Sequence, residues 1–160
     1  MTKEKLRLGI IGAGWPGQQH ARAIQASDGA QLFACAEVDH ERAEEFEATY
    51  APQRIYADYK ELLGDPEVDA VVICLPNFLH FPAALAALEA GKHVLCEKPP
   101  TLNAAEMVVL RQEAVRRRLI YFFGRQFRFT PAMRTARRLI AEERLGRIYF
   151  AEATWVRSRG

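Results

Sequence analysis

The sequence has little of what staples a small secreted domain together. Only three of its 160 residues are cysteines, and Cys35, Cys74 and Cys96 each lie inside an apolar run, without CxxC spacing. Reduced cysteines so placed behave as small hydrophobes, which argues against a disulfide framework, a catalytic thiol or a metal site and makes a reducing, cytoplasmic compartment the expectation. No stretch approaches the roughly 20 apolar residues of a membrane span, and residues 1–8 alternate charged and apolar side chains without an apolar signal core. No membrane partner is expected. Repeats, linkers and low-complexity segments are also missing. What remains, 49% hydrophobic and 26% charged residues with 10 Gly and 8 Pro, fits one α/β domain that buries roughly two-thirds of its unfolded surface. It is too short for a complete two-domain enzyme.

A strong charge of one sign is missing as well, since the net charge is only +2. Its distribution is uneven: residues 1–110 hold 9 Lys+Arg against 16 Asp+Glu, and residues 111–160 hold 13 Arg against 4 Glu. Such asymmetry can mark an anionic partner, but the arginines have no recognition fold around them. A solvated face, or packing against an acidic neighbour, is the expectation, and nucleic acid is not an expected partner.

Apolar runs and helical patterns alternate along the chain. Residues 5–11 (KLRLGII) become continuously apolar, as a central parallel strand does, and pass through glycines into a helical pattern that reaches Ala26. Residues 30–38 read as the second strand and Asp39 as the N-cap of the next helix. A short strand at 54–56, a small helix at 58–63, a strand at 69–75, a helix at 81–90 and a strand at 93–96 follow. A helix at 103–118, a strand at 119–123 and a helix from 131 to about 144 continue the series. The pattern predicts an α/β fold, a Rossmann-type doubly wound parallel sheet flanked by helices. Residues 1–124 form the dinucleotide-binding domain in this reading, and residues 125–160 a connecting helix and the start of something further. Residues 147–156 (RIYFAEATWV) read as a long apolar strand. A bare aromatic edge strand is an aggregation hazard, so either more chain follows or a second copy pairs with that edge as a homo-oligomer.

The chemistry-bearing motifs fall where strands end. Gly12-Ala13-Gly14-Trp15-Pro16-Gly17 is GxGxxG between the first strand and the first helix: the first glycine permits the turn, the second lets a pyrophosphate approach, and the third lets helix and strand pack closely. The helix start offers N–H groups and a positive dipole end to phosphates, although Pro16 removes one donor. Glu37 stands 20 residues beyond Gly17, where a carboxylate can accept ribose hydroxyls and repel a 2′-phosphate, favouring NAD over NADP. No arginine immediately follows it in sequence. An exposed strand-end acid, with Asp39 taking the ribose role, is the competing reading. The turn Leu75-Pro76-Asn77-Phe78-Leu79-His80 follows the fourth strand, where ligands of such sheets bind. Pro76, Asn77 and His80 are candidates to line the nicotinamide side, with His80 as a core histidine or helix cap the alternative. Glu97-Lys98-Pro99-Pro100 leaves the fifth strand at the same edge. A lysine there can exchange a proton with a substrate hydroxyl, or be merely a solvated residue before a proline turn. Two isomers are open to the Lys98-Pro99 bond.

The segments GIIGAGWPGQQH, AVVICLPNFLH, AGKHVLCEKP and FGRQFRFTPA, in this order and spacing, resemble the N-terminal domain of the Gfo/Idh/MocA oxidoreductases, named for glucose–fructose oxidoreductase, inositol dehydrogenase and a rhizopine catabolism protein. The resemblance implies an NAD(P)-dependent enzyme that moves a hydride between nicotinamide and a sugar, inositol or related polyol carbon. It assigns Gly12, Gly14, Trp15 and Gly17 to the pyrophosphate loop, Glu37 to the adenosine ribose, and Pro76, Asn77, His80 and Arg128 to the cofactor cleft. Lys98 becomes the catalytic lysine, positioned by Glu97. Members of the family continue into a larger α/β substrate domain, and residues 155–160 (WVRSRG) look like the beginning of its first strand. The 160 residues are then expected to bind the cofactor with little or no turnover. A non-catalytic dinucleotide-binding or interaction module is the alternative.

Overall fold

The computed structural model describes residues 5–154 and 156. Two compact units divide the chain, Met1–Gly124 and Arg125–Gly160. The first is built on six parallel strands, β1 (Leu6–Ile11), β2 (Ala30–Ala36), β3 (Arg54–Tyr56), β4 (Ala70–Ile73), β5 (His93–Cys96) and β6 (Tyr121–Phe123), in the order β3-β2-β1-β4-β5-β6. Five helices cross between them: α1 (Trp15–Gln25), α2 (His40–Tyr50), α3 (Tyr59–Gly64), α4 (His80–Glu89) and α5 (Ala104–Arg117). The doubly wound architecture is therefore present. Each element lies within a few residues of its sequence expectation, the differences falling at the ends.

Strand side chains alternate between the two faces, so each strand supplies both cores. Ile10, Cys35 and Val72 pack with Ala21 and Ile24 of α1 and Phe46 and Tyr50 of α2. Their neighbours Ile11, Ala34, Ala36, Val71 and Ile73 pack on the other side with Leu62 of α3, Ala84 and Leu88 of α4 and Leu110 of α5. One face thus carries α1 and α2, and the other α3, α4 and α5. Strand order reverses between β1 and β4, which opens a crevice at their carboxyl ends.

One irregularity interrupts the sheet. Leu6, Arg7 and Leu8 lie opposite residues 30–32, whereas Gly9, Ile10 and Ile11 lie opposite residues 34–36, so Phe33 has no counterpart on β1. A Cβ at Gly9 would come within 2.8 Å of Leu62 Cδ2. The side chain of α3 fills the space that glycine leaves.

At the amino ends of the strands the polar groups are paired with one another. Asp65 is 5% exposed, and its carboxylate accepts from the Glu67 N–H at 2.9 Å, the Tyr56 hydroxyl at 2.9 Å and the Arg54 guanidinium at 2.6 Å. Lys92 Nζ donates to the carbonyls of Asp65 and Val68 at 2.6 and 2.8 Å, and burial pulls its pKa down. Burial by itself would raise the pKa of Asp65, but the three hydrogen bonds outweigh it and hold the carboxyl below its usual range. A depressed carboxylate contributes stability that is fully present above its unfolded value, about 3.9, and lost as pH falls through the folded one. Asp65→Asn is expected to lose about 1–3 kcal/mol at pH 7. Urea unfolding from pH 7 down to pH 2 should find a shallower acid decline in the variant; parallel curves would assign the decline to other carboxylates.

The second unit holds a 3-10 turn, Gln126–Phe129, and α6 (Pro131–Ala141). Thr130 caps α6 through its Oγ1, which accepts from the Met133 N–H at 3.4 Å. The strand expected at 147–156 is not formed among the described residues, which carry no regular structure from 147 to 154 and at 156. Apolar composition is not enough: a strand is held by a hydrogen-bonded neighbour, and among the described residues no strand pairs with this segment. The strand start expected at 155–160 lies, apart from Val156, outside the described residues. Among the described residues no helix is long and apolar enough to cross a membrane.

Candidate dinucleotide site at the carboxyl edge

The loop after β1 is shaped by two contacts that no side chain could share. Gly12 has φ +98°, and a Cβ there would stand 2.7 Å from the Cys74 carbonyl oxygen at the end of β4. At Gly17 a Cβ would stand 2.1 Å from the Gly12 carbonyl oxygen. The first glycine lets the loop cross against β4, and the second seats α1 on the loop. Gly14 differs, since its nearest heavy atom to such a Cβ is Pro16 Cδ at 3.9 Å. Space lies open over Gly14, at the N-cap of α1.

Helix geometry leaves the first N–H groups without acceptors. The first main-chain bond of the helix runs from the Gln18 N–H to the Gly14 carbonyl at 3.0 Å. Pro16 has no N–H, so Gly14, Trp15 and Gly17 supply the free donors. Trp15 opens the helix and is 74% exposed. A cradle of donors under an open space suits an anionic group.

Glu37 lies just past β2 and is only 8% exposed. Its Oε2 accepts from the Ala13 N–H at 2.8 Å, and its Oε1 from the Asp39 N–H at 3.1 Å. It is not an exposed strand-end acid. The carboxylate ties the glycine loop to the β2–α2 turn, and Oε2 keeps a lone pair for a further donor. Asp39 is the N-cap of α2, its Oδ1 accepting from the Arg42 N–H at 3.0 Å. Sequence adjacency gave Glu37 no basic neighbour, but Arg42 folds back from the first turn of α2 to place its guanidinium 3.4 Å from Glu37 and 3.6 Å from Asp39. The helical i, i+3 spacing from Asp39 was the available signal.

The turn after β4 carries Pro76 and Asn77, both exposed, ahead of the 3-10 turn Asn77–Leu79. His80 corrects its expected place. It is 1% exposed, with Nδ1 2.6 Å from the Pro99 carbonyl and Nε2 2.8 Å from the Leu75 carbonyl, so its ring cannot line a ligand. Carbonyls only accept, so a neutral ring satisfies one of them and an imidazolium both. His80 acts on the site through the turns that it joins. Pro99 belongs to the turn after β5, and the Lys98-Pro99 bond is cis.

At that turn Glu97 is half-buried and Lys98 exposed. Glu97 Oε1 faces His20 Nε2 on α1 at 2.9 Å, and Oε2 accepts from the Lys98 N–H at 3.2 Å. His20 was not anticipated, although its place near Ala21 and Ile24, the buried stripe of α1, was a signal that it faces inward. Arg128 lies on the 3-10 turn of the second unit and is described there only. A cavity of about 960 Å³ lies at the opposite end of the strands beside Arg7, Asp69 and Lys92. Arg7 there is bound to Glu67 at 3.0 Å, and Lys92 to the carbonyls of Asp65 and Val68.

A parallel sheet in this order, with a glycine cradle before α1 and an acid after β2, defines a Rossmann-type dinucleotide-binding domain. The chain belongs to the GFO_IDH_MocA family, described as the oxidoreductase family, NAD-binding Rossmann fold, whose model matches residues 6–125. It is 32% identical over 149 residues to the myo-inositol 2-dehydrogenase of Thermotoga maritima, covering 93% of this chain and 45% of that protein. The crystal structure of an NAD binding oxidoreductase from Klebsiella pneumoniae superposes with a TM-score of 0.84 at 36% identity, covering 89% of this chain and 40% of that one. That of scyllo-inositol dehydrogenase from Lactobacillus casei with bound NAD(H) and scyllo-inositol gives 0.84 at 27% identity, covering 89% and 43%. The chain spans less than half the length of these relatives.

Proposed function

We propose that the first unit binds NAD in the crevice between β1 and β4, and that the protein uses it to oxidise or reduce a carbinol carbon of a sugar, inositol or related polyol. One observation carries the binding: the close seating of Gly17 on Gly12 leaves open space over Gly14, ringed by the free N–H groups of Gly14, Trp15 and Gly17. Those donors and the α1 dipole hold the pyrophosphate. The remaining lone pair of Glu37 Oε2 takes a ribose hydroxyl, while Pro76 and Asn77 border the nicotinamide half. When bound, the cofactor supplies the hydride acceptor or donor at its nicotinamide ring. Lys98 exchanges the proton of the substrate hydroxyl, and Glu97 fixes the main chain from which Lys98 projects. The names of the T. maritima and L. casei proteins support a polyol as substrate. Three free thiols support a cytoplasmic setting.

The preference for NAD rests on charge. Arg42 is already shared between Glu37 and Asp39, so a 2′-phosphate would enter beside two carboxylates and one arginine. Titration of the chain with NADH, followed by nicotinamide fluorescence, is expected to show binding below millimolar concentration, with NADPH at least about tenfold weaker. Glu37→Ala should weaken NADH and narrow the gap. No binding at millimolar NADH would overturn the dinucleotide reading, and equal affinities in the unaltered chain would overturn the ribose role of Glu37.

A further inference from the structure

The structure assigns His20 as the positioning residue that keeps the Glu97 carboxylate off the Lys98 ammonium, so that the lysine amine stays available for proton exchange. The inference rests on the proposed role of Lys98 and goes beyond it, because nothing in the motif itself says what Glu97 does with its charge. A carboxylate directly before a lysine is the nearest anion that the ammonium can find. Left free, it would hold the lysine protonated. Here both oxygens are engaged elsewhere: Oε1 by His20 Nε2 at 2.9 Å, and Oε2 by the Lys98 main-chain N–H at 3.2 Å.

An ionised carboxylate can only accept, so Nε2 carries the proton in this bond. The pair is sheltered, with 26% of the His20 side chain and 16% of the Glu97 side chain exposed. The charge of Glu97 also reaches two thiols, Cys74 at the end of β4 and Cys96 of β5. Burial and then the charge of Glu97 push the Cys74 thiol up, and burial raises Cys96 to about 12. Both thiols stay neutral, and among the described residues neither hydrogen-bonds to Glu97, so His20 is the side chain that holds the carboxylate. Among the described residues no ion pair joins Glu97 to Lys98. His20 also sits on α1, whose first turn forms the glycine cradle, so the cofactor helix and the lysine turn are linked through one side chain. The Pro99 carbonyl, held by His80 at 2.6 Å, anchors the turn from the other side.

The test reads the amine of Lys98 directly and needs no turnover. Trace acetylation of the whole chain at pH 8, with labelling of Lys98 measured by mass spectrometry against exposed Lys60, reports how much free amine each lysine offers. In His20→Ala the freed carboxylate is expected to pair with the ammonium, and relative labelling of Lys98 should fall about tenfold. His20→Gln, whose amide N–H can still occupy Glu97, should label as the unaltered chain does. The double variant His20→Ala/Glu97→Gln should recover, since no charge remains to hold the lysine. Circular dichroism of each variant guards against unfolding, which would expose all lysines alike and abolish the difference from Lys60. Equal labelling of Lys98 in His20→Ala and the unaltered chain, or no recovery in the double variant, would overturn the role. NADH titration of the same proteins keeps the two readings apart: an unaltered chain that fails to bind NADH sinks the dinucleotide reading whatever Lys98 does.

Discussion

Gly17→Ala is expected to abolish measurable NADH binding and to lower the melting temperature by about 6–12 °C, from about 3 kcal/mol of overpacking at roughly 2–4 °C per kcal/mol in a domain of this size. The reason is that the added methyl meets main chain and not a flexible side chain: the Gly12 carbonyl oxygen would be 2.1 Å away and its carbon 3.2 Å. Relief requires α1 to lift from β1, and that motion carries the Gly14, Trp15 and Gly17 donors out of their arrangement. Loss of at least about a hundredfold in affinity follows, because the pyrophosphate contacts depend on all of these groups at once. Gly14→Ala is the informative companion. Its Cβ would find nothing nearer than 3.9 Å, so it should melt like the unaltered chain and lose affinity only by intruding on the ligand. A Gly17→Ala chain that melts and binds normally would show that the loop can rearrange and that the cradle is not what holds the cofactor.

Lys98→Ala separates chemistry from binding. The side chain is exposed at the crevice edge, and no hydrogen bond of the fold depends on its ammonium among the described residues. The variant should therefore keep its melting temperature and its NADH affinity within about threefold. Where polyol-dependent turnover is measured, the proposed role of Lys98 in proton exchange predicts a fall in kcat of about 100- to 10,000-fold. Partial rescue by small added amines would tie the loss to the missing base. Equal losses in kcat and in NADH affinity would instead place Lys98 at the cofactor. A complete protein with no polyol-dependent turnover from the outset would favour the non-catalytic module.

Much of this site was legible because its parts are local in sequence. The three glycines, the acid after the second strand and the Glu-Lys-Pro turn all follow strand ends at fixed short spacings, and strand ends are where a doubly wound sheet puts its ligand. The pairings were less accessible. His20 and Glu97 lie 77 residues apart and meet only because α1 crosses over the sheet towards β5, a distance that no local pattern encodes. Arg42 was one helical turn from Asp39 and could have been counted. His80 was misplaced because a turn beside a ligand crevice and a turn beside the core look alike in sequence; the difference is the carbonyl of Pro99, brought close by the fold. The tail failed for a different reason. Residues 147–154 have the composition of a strand, but a strand is a property of two segments, and composition reports on one.

The extra residue in β2 sets a count on which the site depends. Side chains of a strand alternate, so a single residue more or less turns every later one to the opposite face. Six residues of β1 run beside seven of β2, and the surplus at Phe33 is what brings Ala36 level with Ile11. From there the Gly12 N–H reaches the Ala36 carbonyl at 2.8 Å, and the next residue on each side, Ala13 and Glu37, meet. Deleting Phe33 itself would merely remove the surplus and leave Ala36 level with Ile11, whereas deleting one residue past it, between Ala34 and Glu37, would keep the strands paired yet present Val38 where the carboxylate now stands. Glu37, the acid proposed to take a ribose hydroxyl, is thus held beside Ala13 by the number of residues between the surplus and the end of the strand.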